Sequence, residues 1–136
     1  MLRPVAEREP AVVVCNSCRH SADAREDEQS RRGGTRLADA LRTVRATDAR
    51  YAGIEVQEMP CLFACKEHCT VHLRAAGKLS YVLGRFTPDE QAARAILDYA
   101  VHYAASEHGQ VRYADWPEGV KGHFITRSPP EGYVVE

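Results

Sequence analysis

At 136 residues the chain fits one domain. A domain of this size buries roughly two-thirds of its unfolded surface, so metal or disulfide staples are not obligatory for stability. Apolar residues make up 44% and charged residues 27%, the balance of an ordinary soluble protein, and eighteen basic residues against nineteen acidic ones leave a net charge of −1, so no nucleic-acid partner is expected.

Residues 1–10 are charged and punctuated by Pro4 and Pro10, and read as a flexible N-terminal arm. They hold no apolar run long enough for a signal peptide, and no segment approaches the roughly eighteen apolar residues of a membrane span. The expected location is therefore cytoplasmic, without a membrane partner. Thiols stay reduced there, and clustered cysteines bind metal or do redox chemistry more often than they form structural disulfides.

Ala11-Val12-Val13-Val14 is short and β-branched, which predicts a buried strand. Cys15-Asn16-Ser17-Cys18 sits at its exit. Arg19 to Gly34 has no apolar period and predicts a long exposed loop or a frayed helix. Thr35 is a fair N-cap for a helix to about Ala46, with Leu37, Leu41 and Val44 on one face. Tyr51-Ala52-Gly53 turns the chain, and Ile54 to Met59 alternates as a half-buried strand that delivers Pro60 and Cys61. After the cysteines, Val71 and Leu73 alternate again. A turn at Ala75–Lys78 and a return over Leu79–Phe86 predict a hairpin.

Thr87-Pro88-Asp89-Glu90 predicts a helix start with a capping box. Ala92, Ile96, Tyr99 and Tyr103 continue it, and Gly109 closes it. Residues 110–136, rich in Gly and Pro with scattered aromatics, predict an irregular extension packed on the domain formed by residues 11–109. The order β-α-β-β-β-α is that of a thioredoxin-like α/β sandwich.

The five cysteines lie in two clusters, Cys15/Cys18 and Cys61/Cys65/Cys69. Each of the pairs Cys-x-x-Cys and Cys-x-x-x-Cys places two sulfurs on one turn. Four thiolates in two pairs can hold one zinc ion, or the two irons of a [2Fe–2S] cluster with one pair on each iron. Leu62, Phe63 and neighbouring apolar residues would exclude bulk water. Cys69 is either an alternative ligand or a core residue opening the next strand. His20 and His68 adjoin these cysteines and either ligate the metal, tune it through hydrogen bonds, or are simply solvated. The competing readings are weaker on chemistry: core cysteines do not scatter as two tight clusters. A thiol–disulfide oxidoreductase needs its first cysteine at a docked helix N-terminus, and Arg19-His20-Ser21-Ala22-Asp23 offers no apolar face for one. No G-x-S-x-G, phosphate loop or H-E-x-x-H points to another enzyme activity.

At Cys61-Leu62-Phe63-Ala64-Cys65 the chain resembles the thioredoxin-like [2Fe–2S] ferredoxins. Those proteins carry a C-L-x-x-C loop after an apolar strand, commonly followed by Gly-Pro and a β-hairpin; here Cys69 stands where that proline would be. Over most of its length the chain looks like the DUF1636 family of predicted metal-binding proteins. The shared features are Val14-Cys15-Asn16-Ser17-Cys18-Arg19, the later Pro-Cys-Leu-x-x-Cys-x-x-x-Cys-Thr-Val run, Tyr81-Val82-Leu83-Gly84 and Arg127-Ser128-Pro129-Pro130. The resemblance implies ligands Cys15, Cys18, Cys61 and Cys65, with Cys69 matching a family cysteine. It also implies a metal or electron-transfer setting linked to cobalamin or metal-chaperone functions. The expected function is a [2Fe–2S] electron carrier or metal-binding protein rather than an enzyme, serving a redox or metal-delivery protein partner, with a homodimer as a further option. The alternative is a zinc-binding interaction or metal-delivery module without redox activity.

Overall fold

The computed structural model describes residues 2–4, 10–21 and 23–136. Met1 and residues 5–9, most of the expected arm, lie outside them, as does Ala22. Strand β1 (Ala11–Cys15) is buried at every position, as expected for a β-branched run with neighbours on both sides. It pairs in parallel with β2 (Glu55–Met59) and antiparallel with β3 (Val71–Arg74). Strand β4 (Ser80–Leu83) follows β3 as a hairpin, and β5 (Phe124–Ser128) closes the sheet in the order β2-β1-β3-β4-β5.

Helix α1 (Gly33–Ala46) joins the two parallel strands, and α2 (Glu90–Ala105) follows the hairpin. Their apolar stripes bury Leu37, Leu41 and Val44 from one helix and Ile96, Leu97 and Tyr99 from the other. These meet Val12, Val14, Val71, Leu73 and Leu83 in one core. The strand members are register partners: Val12 lies across from Leu73, and Val14 from Val71, which in turn faces Leu83. Alternation therefore puts them on one face of the sheet, and both helices cover that face.

Four local expectations are corrected. Helix α1 starts two residues before Thr35, with Arg32 at the N-cap and no side-chain cap; the Thr35 hydroxyl donates instead to the Asn16 carbonyl at 3.4 Å. Helix α2 is capped by Asp89, whose carboxylate accepts from the Ala92 N–H at 2.8 Å. Aspartate caps at least as well as threonine, so Thr87 and Pro88 stay outside the helix. The helix ends at Ala105 with Ser106 as cap, and the Ser106 hydroxyl takes the Gly109 N–H at 2.8 Å. The extension 110–136 is mostly irregular, but Phe124–Ser128 is a strand on the sheet edge. The long segment after Cys18 forms turns rather than a helix, organised by Asp27, whose carboxylate accepts from the N–H groups of Gln29 and Arg31 at 2.9 and 2.8 Å.

Candidate metal centre

Because β1 and β2 are parallel, both release the chain at the same end of the sheet. Cys15 is the last residue of β1 and lies in register with Met59, the last of β2. The Cys15–Cys18 turn and the Pro60–Cys65 loop therefore start side by side, though some forty residues separate them in sequence. Three contacts stitch them together. The Asn16 N–H donates to the Met59 carbonyl at 2.9 Å, the Ser17 hydroxyl donates to the Pro60 carbonyl, and the Asn16 amide donates to Glu58 at 3.3 Å. Strand β3 completes the frame, with the Cys15 N–H donating to the Thr70 carbonyl at 3.1 Å.

The thiols stand as two pairs within this frame. Cys15 and Cys18 are buried, Cys61 is half-buried and Cys65 is exposed. The neighbouring Cys18 thiol lowers the Cys15 pKa, assisted by the Leu62 backbone and by Ser17, whose hydroxyl lies 3.7 Å from the Cys15 sulfur, against the cost of burial. The same neighbour relation, with burial, raises Cys18, whose sulfur also lies 3.3 Å from the Thr70 hydroxyl. In the second pair the neighbouring Cys61 raises Cys65, and the nearby Cys15 charge adds to the rise. The Cys61 sulfur also accepts the Phe63 N–H at 3.3 Å. Phe63 has φ of 57°, a region unusual for a bulky residue, and this local bend belongs to the loop that turns its N–H back onto sulfur.

Helix α1 approaches this end of the sheet closely because Gly33 and Gly34 carry no side chains. A Cβ on Gly34 would lie 1.8 Å from the Cys15 carbonyl oxygen, and one on Gly33 would lie 2.1 Å from that of Arg19. The Gly34 N–H donates to the Cys18 carbonyl at 3.2 Å, so the start of the helix holds the far end of the first cysteine turn. No acidic residue occupies the first turn of α1, which leaves its positive dipole end without a carboxylate there, and a Cβ on Gly33 would lie 2.8 Å from the Cys69 sulfur.

Cys69 is fully buried in the core. Its thiol donates to the Arg19 carbonyl at 3.5 Å, and burial pushes its pKa up to about 12. It is thus a thiol packed in the core two residues ahead of β3 and bonded to the backbone of the first cysteine turn. Cys69→Ser is expected to retain most of the metal loading, measured as bound metal per chain after anaerobic reconstitution, and to lower stability by about 1–2 kcal/mol through burial of a more polar group. The His20 ring meets the Arg36 guanidinium at 3.3 Å. His68 lines a surface cleft with His20, Lys66 and Arg85. The expected water-excluding role divides: Leu62 packs against the core, whereas Phe63 is 96% exposed and shields nothing.

Several residues of this site carry no recognisable signal in the sequence: Ser17, Thr70 and the N–H group of Phe63. The Gly33-Gly34 dipeptide was the one available signal, since paired glycines next to a helix often mark close backbone approach.

The donor chemistry fits a thiolate-bound metal. All four expected cysteines lie on two neighbouring loops, and the Phe63 N–H already points at the Cys61 sulfur, a hydrogen bond of the kind that orients a ligand. Among the described residues, no three His, Cys, Asp or Glu side chains converge on a single point able to hold one ion. No helix among the described residues is long and apolar enough to cross a membrane.

A solved structure described as a thioredoxin-like [2Fe–2S] ferredoxin from Aquifex aeolicus superposes with a TM-score of 0.58 at 17% identity, covering 94% of this chain and 100% of that one. The likeness establishes a thioredoxin-like fold. No curated protein matches the chain. The family model described as "Protein of unknown function (DUF1636)" matches residues 12–130, nearly the whole domain from the second residue of β1 to just past β5. The chain therefore belongs to the DUF1636 family.

Proposed function

We propose that this protein is a cytoplasmic electron carrier that holds a [2Fe–2S] cluster on Cys15, Cys18, Cys61 and Cys65. The observation that carries this reading is the grouping of the thiols: two pairs, one per loop, leaving the same end of adjacent parallel strands. A [2Fe–2S] cluster takes two protein thiolates on each iron, whereas zinc in a structural site takes four donors around one centre. When bound, such a cluster accepts and returns a single electron.

The protein's own groups do the rest. The Phe63 N–H donates to the Cys61 sulfur at 3.3 Å, and the Leu62 backbone lies near enough to Cys15 to favour its thiolate; hydrogen bonds to sulfur raise the reduction potential by stabilising added negative charge. Cys15 and Cys18 sit inside the core and fix the geometry, while the exposed Cys65 leaves one edge of the site at the surface. A partner protein could therefore approach close to that edge. The resemblance to a [2Fe–2S] ferredoxin in fold supports the same reading.

The test is spectroscopic. After anaerobic reconstitution and reduction by dithionite, an electron paramagnetic resonance signal of about one spin per chain is expected, lost on oxidation and regained on re-reduction. Metal-loaded protein that stays silent under both conditions would reject electron transfer. Loading should also stabilise the fold, because the ligands lie on two loops that the metal ties together. The loaded form is expected to melt more than roughly 5 °C above the apo form in calorimetry; coincident melting would show that the loops are rigid without metal.

A further inference from the structure

Tyrosines and cysteines aside, Thr70 is the one buried residue with a polar or charged side chain among the described residues. It stands between Cys69 and the first residue of β3, and none of its surface reaches solvent. A hydroxyl placed there costs free energy unless it is hydrogen-bonded. Valine, the next residue in the chain, has the same branched shape without that cost. Among the described residues the hydroxyl has one hydrogen-bond partner, the Cys18 sulfur at 3.3 Å. The Thr70 backbone serves the other member of the same pair, since its carbonyl accepts the Cys15 N–H at 3.1 Å.

The mount is rigid. On the side away from β1, the Cys69 N–H donates to the Phe86 carbonyl at 3.3 Å and the Phe86 N–H to the Cys69 carbonyl at 3.4 Å. The Thr70 backbone is therefore pinned from two sides, and its branched Cβ restricts where the hydroxyl can point. In the metal-free chain either the thiol or the hydroxyl can supply the shared hydrogen. A ligating sulfur is a thiolate and has none to give, so with metal bound only the hydroxyl can donate.

We propose that Thr70 is a positioning residue of the metal centre, whose hydroxyl donates to the Cys18 sulfur, fixes that sulfur in place and raises the reduction potential of the site. The inference rests on the electron-carrier reading given above. Reduction adds negative charge to the site, and a donor aimed at sulfur stabilises it. The Phe63 N–H acts on Cys61 from an exposed loop. Thr70 acts from inside the core, where the low local dielectric strengthens a hydrogen bond.

Two substitutions separate the hydroxyl from the space it fills. Thr70→Val removes the hydroxyl and keeps the branched shape, whereas Thr70→Ser keeps the hydroxyl and drops the methyl. Each is reconstituted anaerobically beside the parent, assayed for bound iron and sulfide, and titrated with redox mediators under electron paramagnetic resonance. Thr70→Val is expected to load as the parent does. Its equilibrium constant for taking up one electron should fall about three- to tenfold, a shift of about 30 to 60 mV to lower potential. Thr70→Ser should stay closer to the parent potential, although the lost methyl lowers its melting temperature. A purely space-filling role gives the reverse order, and an unmoved Thr70→Val potential, or a Thr70→Ser shift as large, overturns the proposal. In the metal-free chain, Thr70→Val and Cys18→Ala should together lower the melting temperature by less than the sum of their separate effects; additive losses would show that the two side chains are not bonded and would also overturn it. A parent that takes up no iron and sulfide rejects the electron-carrier reading and this inference together, whereas a loaded parent with an unmoved Thr70→Val variant rejects this inference alone.

Discussion

Replacing Cys15 or Cys61 by serine is expected to reduce bound iron, after anaerobic reconstitution, to at most about a tenth of the parent level. The two substitutions test different loops. Cys15 ends β1, and Cys61 follows β2 by two residues, so an effect at only one of them would mean that a single loop binds the metal. Serine offers a hydroxyl of high pKa in place of a soft thiolate, and iron in such clusters is held by sulfur. Folding is controlled by circular dichroism, since Cys15 is 2% exposed and sits in the core. The contrast with Cys69→Ser is the informative part. Retained loading in Cys15→Ser together with lost loading in Cys69→Ser would overturn the ligand assignment.

Gly34→Ala is expected to be the most damaging single methyl group that can be added to this chain. The new Cβ would meet the Cys15 carbonyl oxygen at 1.8 Å and the Asn16 Cα at 2.8 Å. Those are backbone atoms of β1 and its exit turn, which cannot rotate away as a side-chain tip can. Either α1 retreats from the sheet or the cysteine turn is displaced. Overpacking of a core costs about 1–3 kcal/mol when side chains can adjust, so a clash with backbone is expected to cost about 3 kcal/mol or more. Against a total of about 5–15 kcal/mol, that appears as a fall in melting temperature of roughly 10 °C, with loss of metal loading because the Gly34 N–H no longer holds the Cys18 carbonyl. Gly53→Ala is the control. Nothing lies within 4 Å of the Cβ it would add, and its effect should stay within about 1 kcal/mol. Equal melting temperatures for the two variants would refute the close-approach argument.

The contrast between those glycines also marks what the sequence could disclose. The β-branched run at Ala11–Val14 and the apolar stripes of Leu37/Leu41/Val44 and Ile96/Tyr99/Tyr103 reveal themselves because burial on one face leaves a period in the sequence. Helix starts were less legible. Thr87 and Thr35 both look like caps, yet Asp89 takes one role and tertiary contact starts the other helix at Gly33. Strand β5 was missed because Phe124-Ile125-Thr126-Arg127-Ser128 lies on an edge, is largely exposed and runs into two prolines, so neither a long apolar run nor a clean alternation marks it.

The candidate site was legible in its chemistry and only partly in its geometry. Cysteine spacing identifies two sulfur pairs. Their neighbouring positions follow from the parallel pairing of β1 with β2, a long-range fact that no local window contains. The N–H group of Phe63 is one that every peptide has, so its aim at sulfur depends on loop backbone angles, such as the φ of 57° at Phe63, that side-chain identity does not announce. The burial of Cys69 could be suspected from its place beside Thr70 and Val71 at the mouth of a core strand.

The central claim is that two cysteine loops jointly hold one iron–sulfur centre, and counting the inorganic atoms tests it most directly. Protein isolated anaerobically from iron-replete cells is expected to contain about two irons and two acid-labile sulfides per chain. One zinc per chain with no sulfide, persisting after iron and sulfide reconstitution of the zinc-stripped protein, would contradict it.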